Sequence, residues 1–200
     1  MHVFKSLVAA AALVVTAGAV QAATYNATSY SDVVPGTCTF AGTKDKAKCE
    51  ANDRKNLANL IDGNKNTFYS LGLGGSVTLG FGTDFRAGDV SVYEITFTRP
   101  TSIDKNYEAF ELVALDANKN ATGFSKVITN ENGFASFRID SGFTYLKLVD
   151  VTKEQFANTS SYDGADIGMV SIAAVPVPAA GVLLLAGLGG FAALRRRKSA

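Results

Sequence analysis

Tryptophan is absent from this chain, histidine occurs once and cysteine twice, and no charge sign dominates, with 19 basic residues against 18 acidic over 200 positions. The one histidine, His2, lies in an N-terminal segment expected to be removed, so the remaining body has no imidazole. That excludes Ser-His-Asp and Cys-His catalysis, His-ligated zinc and any imidazole acid or base. No Gly-x-x-x-x-Gly-Lys-Ser/Thr loop is present, and no Gly-x-Gly-x-x-Gly follows a strand and opens a helix. Eighteen acidic residues always offer some carboxylate pair for glycoside hydrolysis, but no pattern selects one, and the chain reads as no enzyme. A composition of 47% hydrophobic and 18% charged residues also excludes collagen, heptad arrays, low-hydropathy disorder and a multi-span membrane protein.

What is there begins at the two ends. Residues 1–22 carry Lys5, an apolar stretch from Leu7 to Val20, and small residues at Val20-Gln21-Ala22. This is the layout of a secretory signal peptide cleaved after Ala22, with the Sec translocon and signal peptidase as partners. The apolar part is too short for a hydrocarbon core of about 30 Å. Residues 175–200 run from Val175-Pro176-Val177-Pro178 through sixteen mostly apolar residues, Ala179 to Leu194, to Arg195-Arg196-Arg197-Lys198. At about 1.5 Å per residue this run spans a membrane only marginally, and the cations after it hold the C-terminus in the cytoplasm. Residues 23–174 are then the body, one domain able to bury about two thirds of its unfolded surface. Without the ends, 14 basic residues face 18 acidic ones, a net charge of −4 that gives no general attraction to nucleic acid.

Val175-Pro176-Val177-Pro178-Ala179-Ala180-Gly181, the Leu/Gly/Ala run and the Arg cluster resemble the PEP-CTERM class of bacterial sorting tails, in its VPLPA-CTERM variant. Val177 stands where that variant usually has Leu. The resemblance implies recognition by an exosortase-type membrane protease and cleavage near the Pro motif. It further implies an inner-membrane-anchored intermediate and then release or transfer to the cell surface, in a Gram-negative bacterium that makes exopolysaccharide.

Within the body, apolar residues alternate with polar ones. Val77, Leu79 and Phe81 alternate with Ser76, Thr78 and Gly80, and Val90, Val92 and the Ile95-Phe97 pair follow. Further strands are expected at Tyr25 to Tyr30, Ala109 to Leu115, Thr122 to Ile128, Phe134 to Ile139, Phe143 to Val151 and Ile167 to Ala173. About eight short strands separated by Gly, Asn and Asp clusters predict an all-β fold, an antiparallel β-sandwich or jelly roll. One short helix is expected around Glu50 to Ile61. Cys38 and Cys49, in an exported chain, predict one disulfide worth about 3 kcal/mol on the chain-entropy model.

The 13 Phe and 7 Tyr mostly fall on alternating strand positions, where filling a core is the ordinary reading. Tyr69, Tyr107 and Tyr162 adjoin turn-type sequence and are the rings expected at the surface, available to stack on a sugar. The densest polar stretch is Asp62-Gly63-Asn64-Lys65-Asn66-Thr67. Oxygen donors around a glycine turn suit a hard cation such as calcium, although the pattern is not an EF-hand. A plain turn in which Asp and Asn bond their own backbone accounts for the same residues.

From Asn59-Leu60-Ile61-Asp62-Gly63-Asn64 and Thr67 through Ser70-Leu71-Gly72-Leu73-Gly74-Gly75 to Gly82, the chain resembles the opening of discoidin-type, galactose-binding-like sandwich domains. The resemblance implies a structural calcium at Asp62, Asn64 and Thr67, beside the N- and C-terminal strands, with Asp163 or Asp166 completing the shell. Together with the sorting tail, it implies a non-catalytic glycan or exopolysaccharide-binding module; Gly-bounded strands and mild charge allow instead a structural biofilm component acting by self-association, and a carboxylate-dependent glycan hydrolase is the less favoured alternative. Where the family often has Trp after the Thr, this chain has Phe68-Tyr69.

Overall fold

The computed structural model describes residues 22–38, 55–95, 106–131 and 133–175. The leader, the Pro motif from Pro176 with its Arg cluster, Phe97 and Cys49 lie outside the described residues. Cys38 is disulfide-bonded.

Among the described residues, ten strands form two antiparallel sheets. The first sheet has the order β1-β10-β5-β8, with the two-residue β3 also on β10. Its members are β1 (Thr24–Asn26), β3 (Tyr69–Ser70), β5 (Gly88–Glu94), β8 (Phe134–Ile139) and β10 (Asp166–Ala174). The second has the order β2-β4-β9-β6-β7, from β2 (Ser29–Val34), β4 (Ser76–Phe85), β6 (Ala109–Leu115), β7 (Ala121–Thr129) and β9 (Phe143–Asp150). A single turn of helix, α1 (Thr152–Gln155), follows β9. The fold is the antiparallel β-sandwich that the alternation implies.

The core lies between the sheets. Val77 and Leu79 of β4, Leu146 and Leu148 of β9, Leu112 and Ala114 of β6, Val90 and Val92 of β5, and Ile167, Val170 and Ile172 of β10 are all fully buried. Each such Val, Leu or Ile contributes about 1.5 to 3 kcal/mol relative to exposure. Phe85 closes one end of this core. Its ring stacks on Phe143 at 5.1 Å and meets Tyr25 edge-on at 5.4 Å.

Three expectations are refined. The segment from Tyr25 to Tyr30 is two strands rather than one. Ala27 N donates to Val170 O of β10 (3.0 Å) and Thr28 N to Gly80 O of β4 (2.9 Å), so the chain crosses from one sheet to the other at Ala27-Thr28. The described part of the expected helix is a 3₁₀ turn, Leu57–Leu60, capped by Asn56, whose side chain accepts from Ala58 N. Leu60 is buried and Leu57 and Ile61 pack against the core, which the tight i, i+3 spacing of a 3₁₀ turn also achieves. Glu94 ends β5, leaving Ile95 beyond the strand. Among the described residues, no helix is long and apolar enough to cross a membrane.

Candidate functional site

The Asp62 turn forms much as its composition directs. Asp62 Oδ1 accepts from Asn64 N (2.8 Å), Asn64 Oδ1 accepts from Asn66 N (3.0 Å), and the Thr67 hydroxyl donates to Asp62 Oδ2 (2.7 Å). Side chains thus satisfy backbone donors in an exposed segment. The turn packs beside the terminal strands: a β-carbon on Gly63 would lie 3.1 Å from Asn26 Nδ2 of β1. A β-carbon on Gly168 of β10 would lie 3.0 Å from the Thr67 carbonyl oxygen, 3.3 Å from that of Tyr93 and 3.5 Å from that of Lys65. Three carbonyl oxygens therefore converge on one small space next to the Asp62 turn. They are donors of the type a hard cation takes, so the residues present fit one.

Asp163 and Asp166 sit elsewhere in character. Both are buried, and Asp166, at the start of β10 opposite Ser70, accepts that residue's hydroxyl. Asp166 also lies near Glu94 and Glu108 in a buried carboxyl group. Burial first, then the charges of Asp166 and Glu94, push the Glu108 carboxyl up from 4.5 to about 10, although Ser161 donates to its Oε1 (2.8 Å). Among the described residues, no three acidic or other ligating side chains converge on a metal position.

Of the three rings expected at the surface, Tyr69 is a correction. It is only 7% exposed, because β3 pairs with β10 and places it against the core. Tyr107 is half-buried and stacks on Phe156 at 5.0 Å, and Tyr162 is half-buried.

Among the described residues, a cleft lies on the outer face of the second sheet. The β4–β9 register breaks between the pairs Gly80–Tyr145 and Phe85–Phe143, so that residues 81–84 of β4 stand opposite Thr144 alone. Gly82, at φ 74°, takes the left-handed conformation this bulge requires. The result is a cleft of about 300 Å³ lined by Ser29, residues 80–84, Thr144 and Tyr145. This is the lower end of the size range of small-molecule pockets. On one wall Thr144 donates to Asp84 Oδ1 (2.7 Å). On the other the Tyr145 ring lies over Gly80, where a β-carbon would sit 3.3 Å from Tyr145 Cε1 and 2.5 Å from Ser29 Oγ. An aromatic face, a carboxylate and three hydroxyls thus open on one small space.

At the rim, Lys119 Nζ lies 5.8 Å from the Tyr145 ring centroid, 2.6 Å from Asp32 Oδ2 and 3.1 Å from Ser31 Oγ. The hydrogen bond from Lys119, then that from Ser31, holds the Asp32 carboxyl below its usual range. Asp32 (φ 48°) and Lys119 (φ 63°) are the two non-glycine residues with positive φ among the described residues. Asp32 sits where the β2–β4 register shifts, and Lys119 in a turn organised by Asp116, whose side chain accepts from Asn118 N and Asn120 N. Lys119 takes the left-handed position that closes the β6–β7 hairpin loop, and Asp32 that of the β2–β4 register shift. Alternation alone assigns Tyr145 to a strand and says nothing of its face. The legible signal is Gly80-Phe81-Gly82, since glycines inside a strand mark a bulge or a close approach.

No family model matches the chain, and no curated protein matches it. Among solved structures it is similar to the C-terminal domain of a chitobiase from Bacteroides fragilis, at 16% identity and a TM-score of 0.48, covering 78% of this chain and 99% of that one. It is similar to the CBM32 of AlyQ in complex with 4,5-unsaturated mannuronic acid, at 16% identity and a TM-score of 0.45, covering 75% and 97%. A third is the family 32 CBM from C. perfringens NanJ in complex with galactose, at 14% identity and a TM-score of 0.43, covering 75% and 98%. The ligands are those structures' own, and the fold class of this chain stands on its two antiparallel sheets.

Proposed function

We propose that this chain is an exported, non-catalytic glycan-binding module that takes a sugar ring in the β4–β9 cleft. The observation that carries the reading is the Tyr145 face set against Asp84, Thr144, Thr83 and Ser29 in a space of about 300 Å³. A sugar offers an apolar ring face to stack on an aromatic and hydroxyls to share with a carboxylate, which is the chemistry of this lining. The lining residues include one carboxylate, Asp84, whereas glycoside hydrolysis ordinarily needs two flanking the bond. Titration of the purified full-length chain with mono- and oligosaccharides tests the reading. Saturable binding lost in Tyr145→Ala, with an unchanged melting temperature, supports it; no binding across a broad neutral and acidic panel sinks it.

The remaining parts of the proposal follow the ends and the turn. The signal peptide exports the body, an exosortase-type protease cleaves the tail of residues 175–200 near its Pro motif, and the exopolysaccharide of the producing cell is the expected ligand. Cys38 pairs with Cys49. Calcium is held by the Lys65, Thr67 and Tyr93 carbonyls with Asp62 and Asn64, in a structural role. Mass spectrometry of the protein exported by its native host would show the leader and the tail missing, and an intact C-terminus would contradict sorting.

A second reading, self-association on the cell surface, is favoured by one observation. The large hydrophobic side chains most exposed among the described residues, Tyr30, Val34, Val127 and Phe134, all lie on the edge strands β2, β7 and β8. Exposed apolar edges are templates for pairing with another chain. Concentration-dependent sedimentation would favour this reading, and a strict monomer would reject it.

A further inference from the structure

We infer that the cleft selects a cationic sugar, a hexosamine unit whose amine is free, over neutral and acidic sugars. The inference rests on the glycan-binding reading of the cleft and names the ligand class.

Asp84 is the one charged residue among those lining the cleft. It is exposed, and the Thr144 hydroxyl donates to its Oδ1 at 2.7 Å. A hydroxyl brings no formal charge, so the carboxylate is left uncompensated. Among the described residues no cation lies within ion-pair distance of it, Arg86 just past the end of β4 included. The bulge sets this carboxylate beside the aromatic ring. Neighbours in a strand ordinarily face opposite sides of a sheet, yet Thr144 and Tyr145 both line the cleft. A sugar laid on Tyr145 therefore turns its ring substituents toward Asp84.

The cations near the ring are on its other side and are already answered. Lys119 Nζ, 5.8 Å from the Tyr145 centroid, is held at 2.6 Å by Asp32. Lys147, paired with Thr78 and so beyond Gly80 from Asp84, also acts on the Asp32 carboxylate. A ligand that covers the cleft takes Asp84 out of water, and the sugars differ in what they then offer it. A neutral sugar leaves the charge to a shared hydroxyl, and a uronate sets a second negative charge in the same space. An ammonium neutralises it through a charge-assisted hydrogen bond, roughly twice as strong as a neutral one. The Tyr145 face also favours a cation. The body's net charge of −4 adds a general attraction for a polymer that carries such amines.

The test is calorimetric titration of the full-length chain with matched methyl glycosides: glucosamine and galactosamine, their N-acetyl forms, the parent glucose and galactose, and galacturonate. At about pH 6, where an amine of ordinary pKa is protonated, the free amine should bind about tenfold tighter than its neutral counterparts, and the galacturonide weakest. Asp84→Asn, an isosteric change at an exposed position, should bring the amine and its N-acetyl form to nearly equal affinity at an unchanged melting temperature. On the unaltered chain the same preference should shrink in about 1 M salt, where the screening length falls to about 3 Å. Equal affinity for amine and N-acetyl forms, tighter binding of the galacturonide, or a preference for the amine that survives Asp84→Asn or high salt would each overturn the inference while leaving the glycan-binding reading intact. Failure of every glycoside to bind would remove that reading and this inference with it.

Discussion

Tyr145 owes its orientation to a residue with no side chain. Gly80→Ala would place a β-carbon 2.5 Å from Ser29 Oγ and 3.3 Å from the Tyr145 ring, so the ring must rise from the sheet. We expect Gly80→Ala to weaken saccharide binding at least tenfold while costing about 1 to 3 kcal/mol in stability, read by calorimetry and by denaturant unfolding. Glu108 gives a pH dependence of known sign. Its folded carboxyl is raised to about 10 from 4.5, so its contribution is complete below the ordinary carboxyl range and is lost as pH rises toward 10. The melting temperature should fall from pH 5 to pH 9, and Glu108→Gln, neutral throughout, should fall less; equal slopes would refute the assignment. At this scale the sequence was only partly legible. The Asx-type bonding of Asp62 and Asn64 is local and could be read directly. The face of Tyr145 depends on which residue pairs with it, and Tyr69 is buried by a partner strand nearly a hundred positions away.

Among the elements, the loops at the α1 end are fastened by one side chain. Asp150, 3% exposed, accepts from Gly74 N (3.0 Å) and Ala165 N (2.9 Å) and from the Thr152 hydroxyl (2.7 Å). It thereby joins the end of β9 to the segments leading into β4 and β10. Asp150→Ala strands the buried Ala165 N–H and should cost about 1 to 3 kcal/mol, measured by urea unfolding. A cost near zero would show that these loops are held otherwise. Strand positions were the most legible part of the chain, since period-two burial is a local pattern: Ala109–Leu115 and Phe134–Ile139 have the expected bounds. The corner at Ala27-Thr28 and the bulge after Gly80 were not, because both arise where a strand changes partner or register.

For the molecule as a whole, the metal proposal has a direct reading. A cation that binds only the folded form raises stability by mass action, by about 2.7 kcal/mol at a hundred times its dissociation constant. Thermal unfolding in excess calcium and then in excess chelator should differ clearly, and identical curves would return the Asp62 turn to a plain turn. Sandwich architecture was legible from the spacing of the strands, whereas sheet order and the outer-face cleft required the pairings. One of those pairings reaches further. Ala174 N donates to Ala23 O at 2.9 Å, and Thr24 is paired with Ala173, so the two ends of the body meet in neighbouring rungs of one ladder. The order in which the strands occur along the chain is therefore not needed to hold them. A circular permutant that joins Ala174 to Ala23 by a short glycine-serine linker and opens at the exposed Ser141 turn keeps every strand pairing. It should melt within a few degrees of the parent and bind the same saccharides.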